Sequence, residues 1–345
     1  MIAIILKQKT SGIYVDAKVI KMVIEKNTDK KCVILTWDQL VREKRTITHK
    51  FAIEHLTPDI LKFSPRAKLI YIPNMEFLTE WDVKLGKQAD VILAKTKQIR
   101  DYLNKLYGKS KIVYSKFTSL CAESKAHKDF NMAVHFAGSS FLKGTDLLVD
   151  YWLKNGGFLK TNPDLILVIT FFRQSKSGMN FWEKLNPQPR TTLKGRPIKC
   201  EKVLNIYMVR KKLGDADYAY FREKAGFYIC PSLVEGFGHY INEGRCNSSV
   251  TITTNAPPMN ELIRDPQRVI KVYKTIPSFR YMSWLRYMHK GEAKVSFIEF
   301  NDFSQKMLRI LSFTPTKLKK IALRDHREFL RDREYFTEVF LKVLR

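Results

Sequence analysis

The chain has 345 residues, of which 45% are hydrophobic and 12% aromatic, so a disordered class is excluded and about two buried cores are expected. Its 61 Lys and Arg against 34 Asp and Glu give a formal charge of +27, which favours phosphate-rich partners without choosing among nucleotides, nucleic acid and an anionic membrane. The apolar opening, residues 1–6, is followed at once by Lys7, so it is too short for a signal peptide or a membrane span and predicts a buried strand.

The first part of the chain alternates short β-branched runs with helical patterns. Strands are predicted at IAIIL, CVILTW, LIYI, DVILA and IVYS, with a helix from Val15 to Lys26. Such alternation is typical of parallel strands joined by crossover helices. A polar stretch from Ala122 to Asp129 indicates a linker, so a first domain of residues 1–128 is expected.

A second α/β series follows the linker. Strands are predicted at MAVHFAG, DLILVITFF, VLNIYMV, FYICPSL and VTITT, and helices at Lys143 to Leu153, Asp215 to Lys224 and about Gly238 to Cys246. They define a second domain of residues 129–315. Residues 316–345 are predicted to form a C-terminal helical segment that can pack back on the first domain. Two open sheets of this kind place a ligand cleft at the carboxyl ends of their strands.

The cysteines and histidines argue against metal and disulfide frameworks. The five cysteines are an odd set without CxxC spacing, namely Cys32, Cys121, Cys200, Cys230 and Cys246. They predict neither a disulfide framework nor a zinc ribbon, and a reducing, cytoplasmic setting is expected. The seven His show no ligand spacing, so no metal is predicted.

Residues 231–261, PSLVEGFGHYINEGRCNSSVTITTNAPPMNE, are the most informative segment. Gly236 and Gly238 bracket Phe237 where a chain leaving a strand must turn sharply into a helix. Backbone N–H groups at such a turn can approach a phosphate or a sugar hydroxyl closely. Glu235 and Glu243 project from the two ends of this element, and their neighbours carry more weight than their spacing.

The segment from Pro231 to Gly238, with Glu243, resembles the donor-site signature of retaining glycosyltransferases of the family 4 type. Residues 136–148, with the pair Lys143-Gly144, look like the strand, turn and helix that open the donor domain in that family. Residues 89–96 are similar to a stretch in its acceptor domain, so the resemblance covers most of residues 89–261. The lysine-rich composition and short first domain also resemble those of sugar-modifying enzymes encoded by large DNA viruses.

The resemblance implies the α/β fold called GT-B, in which two Rossmann-like domains face each other across a cleft. It implies metal-independent transfer of a hexose, with retention of configuration, from a GDP-hexose such as GDP-mannose or from a UDP-hexose. The acceptor would be a glycan, or a protein-linked or lipid-linked group. Glu235 is then expected beside the sugar, Glu243 at the ribose, and Lys143 at the departing diphosphate, whose developing charge it would stabilise.

Further donor-site residues follow from the same resemblance. The amides of the turn after Glu235 would hold the sugar, and the other expected sugar and phosphate contacts are Gly12, Ser139, Arg173, Gly236, Phe237 and Gly238. Family members commonly carry an Arg just before the Lys-Gly pair. Here that stretch holds Ser139, so Arg173 at a later strand end is a candidate replacement.

The first domain also departs from the family, because it lacks the usual active-site His at its strand end. Asn74 and Glu76 occupy roughly that location and are candidates for donor or acceptor contacts. A segment from Tyr273 to Lys290 groups aromatic residues among basic ones. Core packing is one use for it, and a peripheral membrane or acceptor-lipid face is the other.

Two other functions stay open from the sequence. A GT-B cleft can glucosylate DNA bases and the charge of +27 suits that substrate, but the basic residues are scattered, so nucleic acid is not the expected partner. A non-catalytic nucleotide-binding protein is the second alternative, favoured by the absent Arg and His. A homo-oligomeric state is also left open.

Overall fold

The computed structural model describes residues 1–9, 11–40, 42–121, 127–171, 182–281 and 293–345. The strands of the described residues are β1 Ile2–Leu6, β2 Cys32–Thr36, β3 His49–Glu54, β4 Lys68–Pro73, β5 Val91–Ala94, β6 Ile112–Tyr114, β7 Asp129–Gly138, β8 Ile166–Phe171, β9 Gln188–Arg190, β10 Cys200–Val203, β11 Ile206–Val209, β12 Ala225–Cys230, β13 Val250–Thr254, β14 Val269–Ile270, β15 Val272–Pro277 and β16 Lys294–Ile298.

The helices of the same residues are α1 Ser11–Asn27, α2 Trp37–Leu40, α3 Pro58–Lys62, α4 Glu80–Gly86, α5 Lys97–Tyr107, α6 Thr145–Lys154, α7 Asp215–Lys224, α8 His239–Cys246, α9 Met259–Leu262, α10 Ser278–Tyr281, α11 Phe300–Leu311 and α12 Pro315–Val343. Short 3₁₀ turns cover Met75–Phe77, Lys109–Lys111, Phe141–Lys143 and Gly156–Phe158. Among the described residues, no helix combines the length and the apolar character that a bilayer span requires.

The first sheet has six parallel strands in the order β2-β1-β3-β4-β5-β6. The five strands predicted for this part of the chain are present, but β3, which lies between β1 and β4, was not predicted. Its second residue, Lys50, is 2% exposed, and its ammonium donates hydrogen bonds to the carbonyls of Ile60, Leu61 and Phe63. A buried lysine therefore interrupts the apolar pattern that would have revealed a central strand.

The second sheet has the order β14-β13-β12-β7-β8-β11-β10-β9 and is parallel from β14 to β11. The single strand predicted at VLNIYMV is wrong, because β10 and β11 form an antiparallel hairpin. The chain reverses at Leu204, whose φ is +54°, and Asn205, whose amide donates to the carbonyls of Gly157 and Leu165. A side-chain-stabilised turn inside an apolar run explains the error.

Helix α12 packs against both sheets. Leu318 and Ala322 belong to the apolar core beside the second sheet, whereas Phe336 and Phe340 belong to the core of the first sheet. The C-terminal segment thus packs back on the first sheet over about its last two turns. The exact residue bounds assigned to the domains stay predictions.

One disulfide joins the part of the chain that forms the first sheet, called here the first unit, to the part that forms the second sheet, the second unit. Cys121 is bonded to Cys246, with Cα atoms 5.9 Å apart and a sequence separation of 125. Cys32, Cys200 and Cys230 are free. The expectation of no disulfide is therefore corrected: an odd total says nothing about whether two of the cysteines meet in space.

Candidate functional site

The second sheet reverses its strand order at β7, which lies between β12 and β8, so a crevice is expected beyond the carboxyl ends of β7 and β12. Exposed Ser139 follows β7 directly, and a 3₁₀ turn then leads to Gly144 at the start of α6. Gly144 has a φ of +72°, and a Cβ there would lie 2.2 Å from the carbonyl oxygen of Pro231. Only glycine fits this contact, which fixes the preceding Lys143 beside the end of β12.

Lys143 and Glu235 form an ion pair in this crevice. The Lys143 Nζ lies 2.5 Å from Glu235 Oε1 and 4.1 Å from the centroid of the Tyr240 ring. The Ser232 hydroxyl donates to the same carboxylate oxygen at 2.5 Å. Glu235 is only 8% exposed, so its charge is stabilised by a paired cation and a hydrogen bond rather than by water. The two residues that the sequence singled out for the chemistry are in direct contact.

The first unit faces this pair with Asn74 and Glu76, which follow β4. A Cβ on Gly236 would lie 3.0 Å from Asn74 Oδ1 and 3.1 Å from Glu76 Oε1, so the turn after Glu235 touches both residues. Burial and then the charge of Glu235 raise the pKa of Glu76 to about 8, against the opposing effect of Lys143. At neutral pH the Glu76 carboxyl is therefore protonated and able to donate a hydrogen bond.

A buried polar network joins the two units behind this contact. Lys95 Nζ lies 2.9 Å from Asp16 Oδ2 and also donates to Asn74 Oδ1, and Asp16 Oδ1 lies 2.9 Å from His239 Nε2. The Ser119 hydroxyl contacts His239 Nδ1 at 2.8 Å. Burial opposes ionisation of Asp16, but Lys95 and His239 outweigh it and lower its pKa. Since Ser119 is 1% exposed, this Ser-His-Asp set is a structural connection and not a nucleophilic triad.

Phe237 is part of the same contact between the units. Its ring is 4% exposed and packs against Phe117 and His239, with ring centroids 5.4 Å and 5.2 Å apart. The side chain thus anchors the Gly-Phe-Gly turn in the core of the first sheet, and Gly238 leads from it into α8. A sugar contact through the backbone amides stays a prediction.

Glu243 lies on α8, three residues after Tyr240. The Tyr218 hydroxyl donates to Glu243 Oε2 at 2.7 Å, and the Tyr218 ring packs on Phe136 with centroids 4.9 Å apart. Burial raises the pKa of Glu243, and the hydrogen bond from Tyr218 opposes this rise. The ribose contact of Glu243 stays a prediction.

Two of the predicted phosphate contacts are Gly12 and Arg173. Gly12 lies in the first turn of α1 and not in a loop before it, so the helix begins four residues earlier than predicted. No atom lies within 4 Å of a Cβ placed on Gly12, and Asp16 of the central network is one helical turn further along. Arg173 lies outside the described residues, as do residues 282–290 of the segment from Tyr273 to Lys290.

The end of β3 supplies polar residues that the sequence did not reveal. Glu54 has a φ of +72°, an uncommon value for a residue with a side chain, and burial raises its pKa. His55 Nδ1 lies 2.8 Å from Asp82 Oδ2; burial opposes protonation of His55, but Asp82 and Glu54 raise its pKa. Recognising β3 from its sequence would have placed both residues at the cleft. Asp16 and Lys95 likewise give no local signal, because their partners are distant in sequence.

No group of three or more His, Cys, Asp or Glu side chains within the described ranges is arranged to hold a metal ion. The prediction that the reaction needs no metal is not tested by that arrangement and stays a prediction.

Comparison with known proteins identifies the fold. No protein-family model and no curated protein sequence matches the chain. A glycosyltransferase from Rickettsia africae is similar over 100% of this chain and 98% of its own, with a TM-score of 0.63 at 14% identity. A trehalose-6-phosphate synthase studied for glycosyl transfer with retention is similar over 99% of this chain and 98% of its own, with a TM-score of 0.62 at 8% identity.

A mutant of TarM from S. aureus, in complex with fondaparinux, α-GlcNAc-glycerol and UDP, is similar over 85% of this chain, with a TM-score of 0.60 at 12% identity. This chain spans 55% of the TarM length. All three are GT-B glycosyltransferases, and this chain has the same GT-B fold, as the sequence predicted. At these identities the likeness establishes the fold alone.

Proposed function

We propose that this protein is a glycosyltransferase that moves a hexose from a nucleoside diphosphate sugar to a glycan, protein-linked or lipid-linked acceptor. The observation that carries the proposal is the Lys143–Glu235 pair at the carboxyl ends of β7 and β12, with Glu76 of the first unit next to the turn after Glu235. A cation at a helix-opening turn beside a carboxylate suits a reaction in which a diphosphate leaves and positive charge develops on a sugar.

In the proposed reaction, Lys143 exchanges part of its contact with Glu235 for the departing diphosphate. The amides after Glu235 hold the sugar hydroxyls, and Glu235 lies beside the sugar. Glu243 accepts hydrogen bonds from the ribose in place of, or together with, the Tyr218 hydroxyl. Because Lys143 and oriented amides can supply the charge stabilisation, the proposed transfer needs no metal, and retention of configuration is the proposed stereochemical outcome.

Calorimetric titration tests donor recognition. GDP-mannose, GDP-glucose, UDP-glucose and UDP-N-acetylglucosamine are titrated into the full-length protein, and saturable binding of at least one of them is expected. Similar structures that contain UDP favour a UDP-sugar, and a GDP-hexose such as GDP-mannose is the competing donor. Failure of all four donors to bind would refute the proposal.

Substitution of the pair tests catalysis. Slow hydrolysis of the bound donor, or transfer to an added glycan, is expected to fall about 10²- to 10³-fold in Lys143→Ala, the typical loss for one preorganised charge-stabilising group. Lys154→Ala, an exposed lysine on the following helix that pairs with Asp150, is the matched control. Turnover that persists in Glu235→Gln, in protein that keeps its native circular dichroism, would overturn the site.

Duplex DNA tests the DNA-modifying alternative, because the formal charge of +27 suits a DNA substrate. Binding that weakens steeply between about 50 and 200 mM salt, together with glucosylated bases after incubation with UDP-glucose, would favour the DNA-modifying alternative. Donor binding without turnover on any acceptor would favour a non-catalytic nucleotide-binding protein.

A further inference from the structure

A row of side chains leads away from Glu235 along the carboxyl ends of the first sheet. Glu76 is next to the turn after Glu235, and Asn74 Nδ2 donates to Glu54 Oε1 at 3.4 Å. His55 follows Glu54 and lies edge-on to Trp37, with ring centroids 6.4 Å apart. These residues end or follow β2, β3 and β4, whose carboxyl ends lie along one edge of the cleft.

Trp37 begins α2 directly after β2. Its indole N–H is buried and has no hydrogen-bond partner within the described part of the chain. Lys7, which follows β1, holds its Nζ 5.7 Å from the Trp37 ring centroid. Buried donors nearly always have an acceptor, so an unpartnered N–H beside a cleft points to an acceptor group that a ligand supplies.

Trp81 is the most exposed large hydrophobic residue in the described chain, at 62%. It lies in the first turn of α4, where Thr79 and Asp82 form a capping box that fixes the helix start. Asp82 turns inward to His55 and to the amide of Leu56 at 2.7 Å, while Lys84 places its Nζ 5.2 Å over the Trp81 ring. A solvent-facing indole therefore lies next in sequence to Asp82, which contacts His55.

We propose that Trp37, His55 and Trp81 bind the acceptor of the proposed transfer, and that this acceptor is a sugar ring of a glycan. The proposal rests on the proposed function, because it names the acceptor class of that same cleft. A pyranose presents C–H groups on its faces, which stack on indole, and hydroxyls on its rim, which bond to an indole N–H, an imidazole and carboxylates.

The mixed chemistry of the row favours a sugar over an acyl chain. His55 lies next to the indole of Trp37 and pairs with the carboxylates of Glu54 and Asp82, so polar groups accompany the aromatic ring. A lipid face would need contiguous apolar area. The row also begins at Glu76, which lies next to the turn after Glu235, so it leads away from the proposed donor site.

The test uses the full-length protein saturated with the nucleotide that calorimetry identifies. Saturation-transfer NMR is recorded with maltose, lactose, chitobiose and a mannobiose, and vesicles rich in anionic lipid are added in a separate sedimentation assay. Trp81→Ala, which removes an exposed side chain, and Trp37→Phe, which keeps a ring but removes the N–H, are compared with wild type. Tyr335→Ala is the matched control, since Tyr335 is 40% exposed and has Lys116 5.1 Å from its ring.

At least one disaccharide is expected to bind, with affinity reduced roughly fivefold to tenfold in each Trp variant and unchanged in Tyr335→Ala, as the loss of one aromatic contact or one hydrogen bond implies. Nucleotide affinity is expected to stay the same in all variants, so failure of the donor proposal is recognised separately. Disaccharide binding that is absent from wild type, or that is unaffected by both Trp variants, overturns the inference. Loss of vesicle binding in Trp81→Ala without loss of disaccharide binding also overturns it and assigns the indole to a membrane.

Discussion

Replacing Glu76 by Gln removes a carboxyl group that keeps its proton to an unusually high pH in the folded protein. Burial and the neighbouring charge of Glu235 raise the pKa of Glu76 from 4.5 to about 8. The folded state therefore keeps its proton where the unfolded chain has lost it. The resulting stabilisation is fully present below about pH 4.5 and is lost as the pH rises through about 8.

The magnitude follows from the size of the pKa difference. At about 1.4 kcal/mol per pKa unit, the upper limit is about 5 kcal/mol between the two pKa values, and about 3 kcal/mol of it falls between about pH 5 and pH 7. Wild type is expected to lose stability relative to Glu76→Gln by up to this amount over that range. Guanidinium unfolding at about pH 5, 6, 7 and 8, followed by tryptophan fluorescence, measures the difference.

The comparison between the two proteins cancels the titration of groups that do not interact with Glu76. Glu80→Gln, which removes an exposed carboxylate four residues away, is the matched control for the loss of one charge. A wild-type minus Glu76→Gln difference that stays constant over the whole pH series would falsify the assignment of Glu76 as a half-buried, protonated group beside Glu235.

Three further outcomes are expected. Gly144→Ala should destabilise the fold by more than about 3 kcal/mol, because a Cβ would lie 2.2 Å from a carbonyl oxygen. The control Gly195→Ala has a φ of +74° but open space around the Cβ, so it should cost only the roughly 1–2 kcal/mol of a left-handed backbone conformation. Urea unfolding of both variants measures the two free energies. Phe237→Ala should cost about 3–5 kcal/mol and increase proteolysis between the two units. Thiol titration of the denatured protein should find three free thiols without reductant and five after reduction. Cys246→Ser should lower the free energy of unfolding by about 2–4 kcal/mol. Five thiols without reductant would contradict the disulfide.

The sequence predicted the parts of this fold whose signals are local. Strands such as β1 and β13 are continuous β-branched runs, and the Lys143-Gly144 turn and the Gly-Phe-Gly turn are marked by glycines. By contrast, β3 contains buried Lys50, whose stabilising carbonyls come from α3 and the residue after it. No local sequence pattern predicts that arrangement.

Pairings between distant segments account for the rest of the site. In the network around Asp16, which lies on α1, the partners Lys95 and His239 are 79 and 223 positions away in sequence. The Cys121–Cys246 bond likewise spans 125 positions. Phe237 was expected at the sugar because it stands between two glycines, yet its ring packs into the first sheet, and only the packed structure distinguishes those uses.

Charge balance in the cleft links the donor site to pH. Lys95 pairs with Asp16 and Lys143 pairs with Glu235, whereas burial raises the pKa of both Glu54 and Glu76. A diphosphate that takes Lys143 away from Glu235 adds negative charge next to Glu76, so ionised Glu76 should oppose donor binding. Donor affinity is therefore expected to fall as the pH rises through about 8 in wild type and to change less in Glu76→Gln. Calorimetry at about pH 6.5 and 9 with both proteins checks this, and equal losses of affinity in the two would show that Glu76 does not face the bound diphosphate.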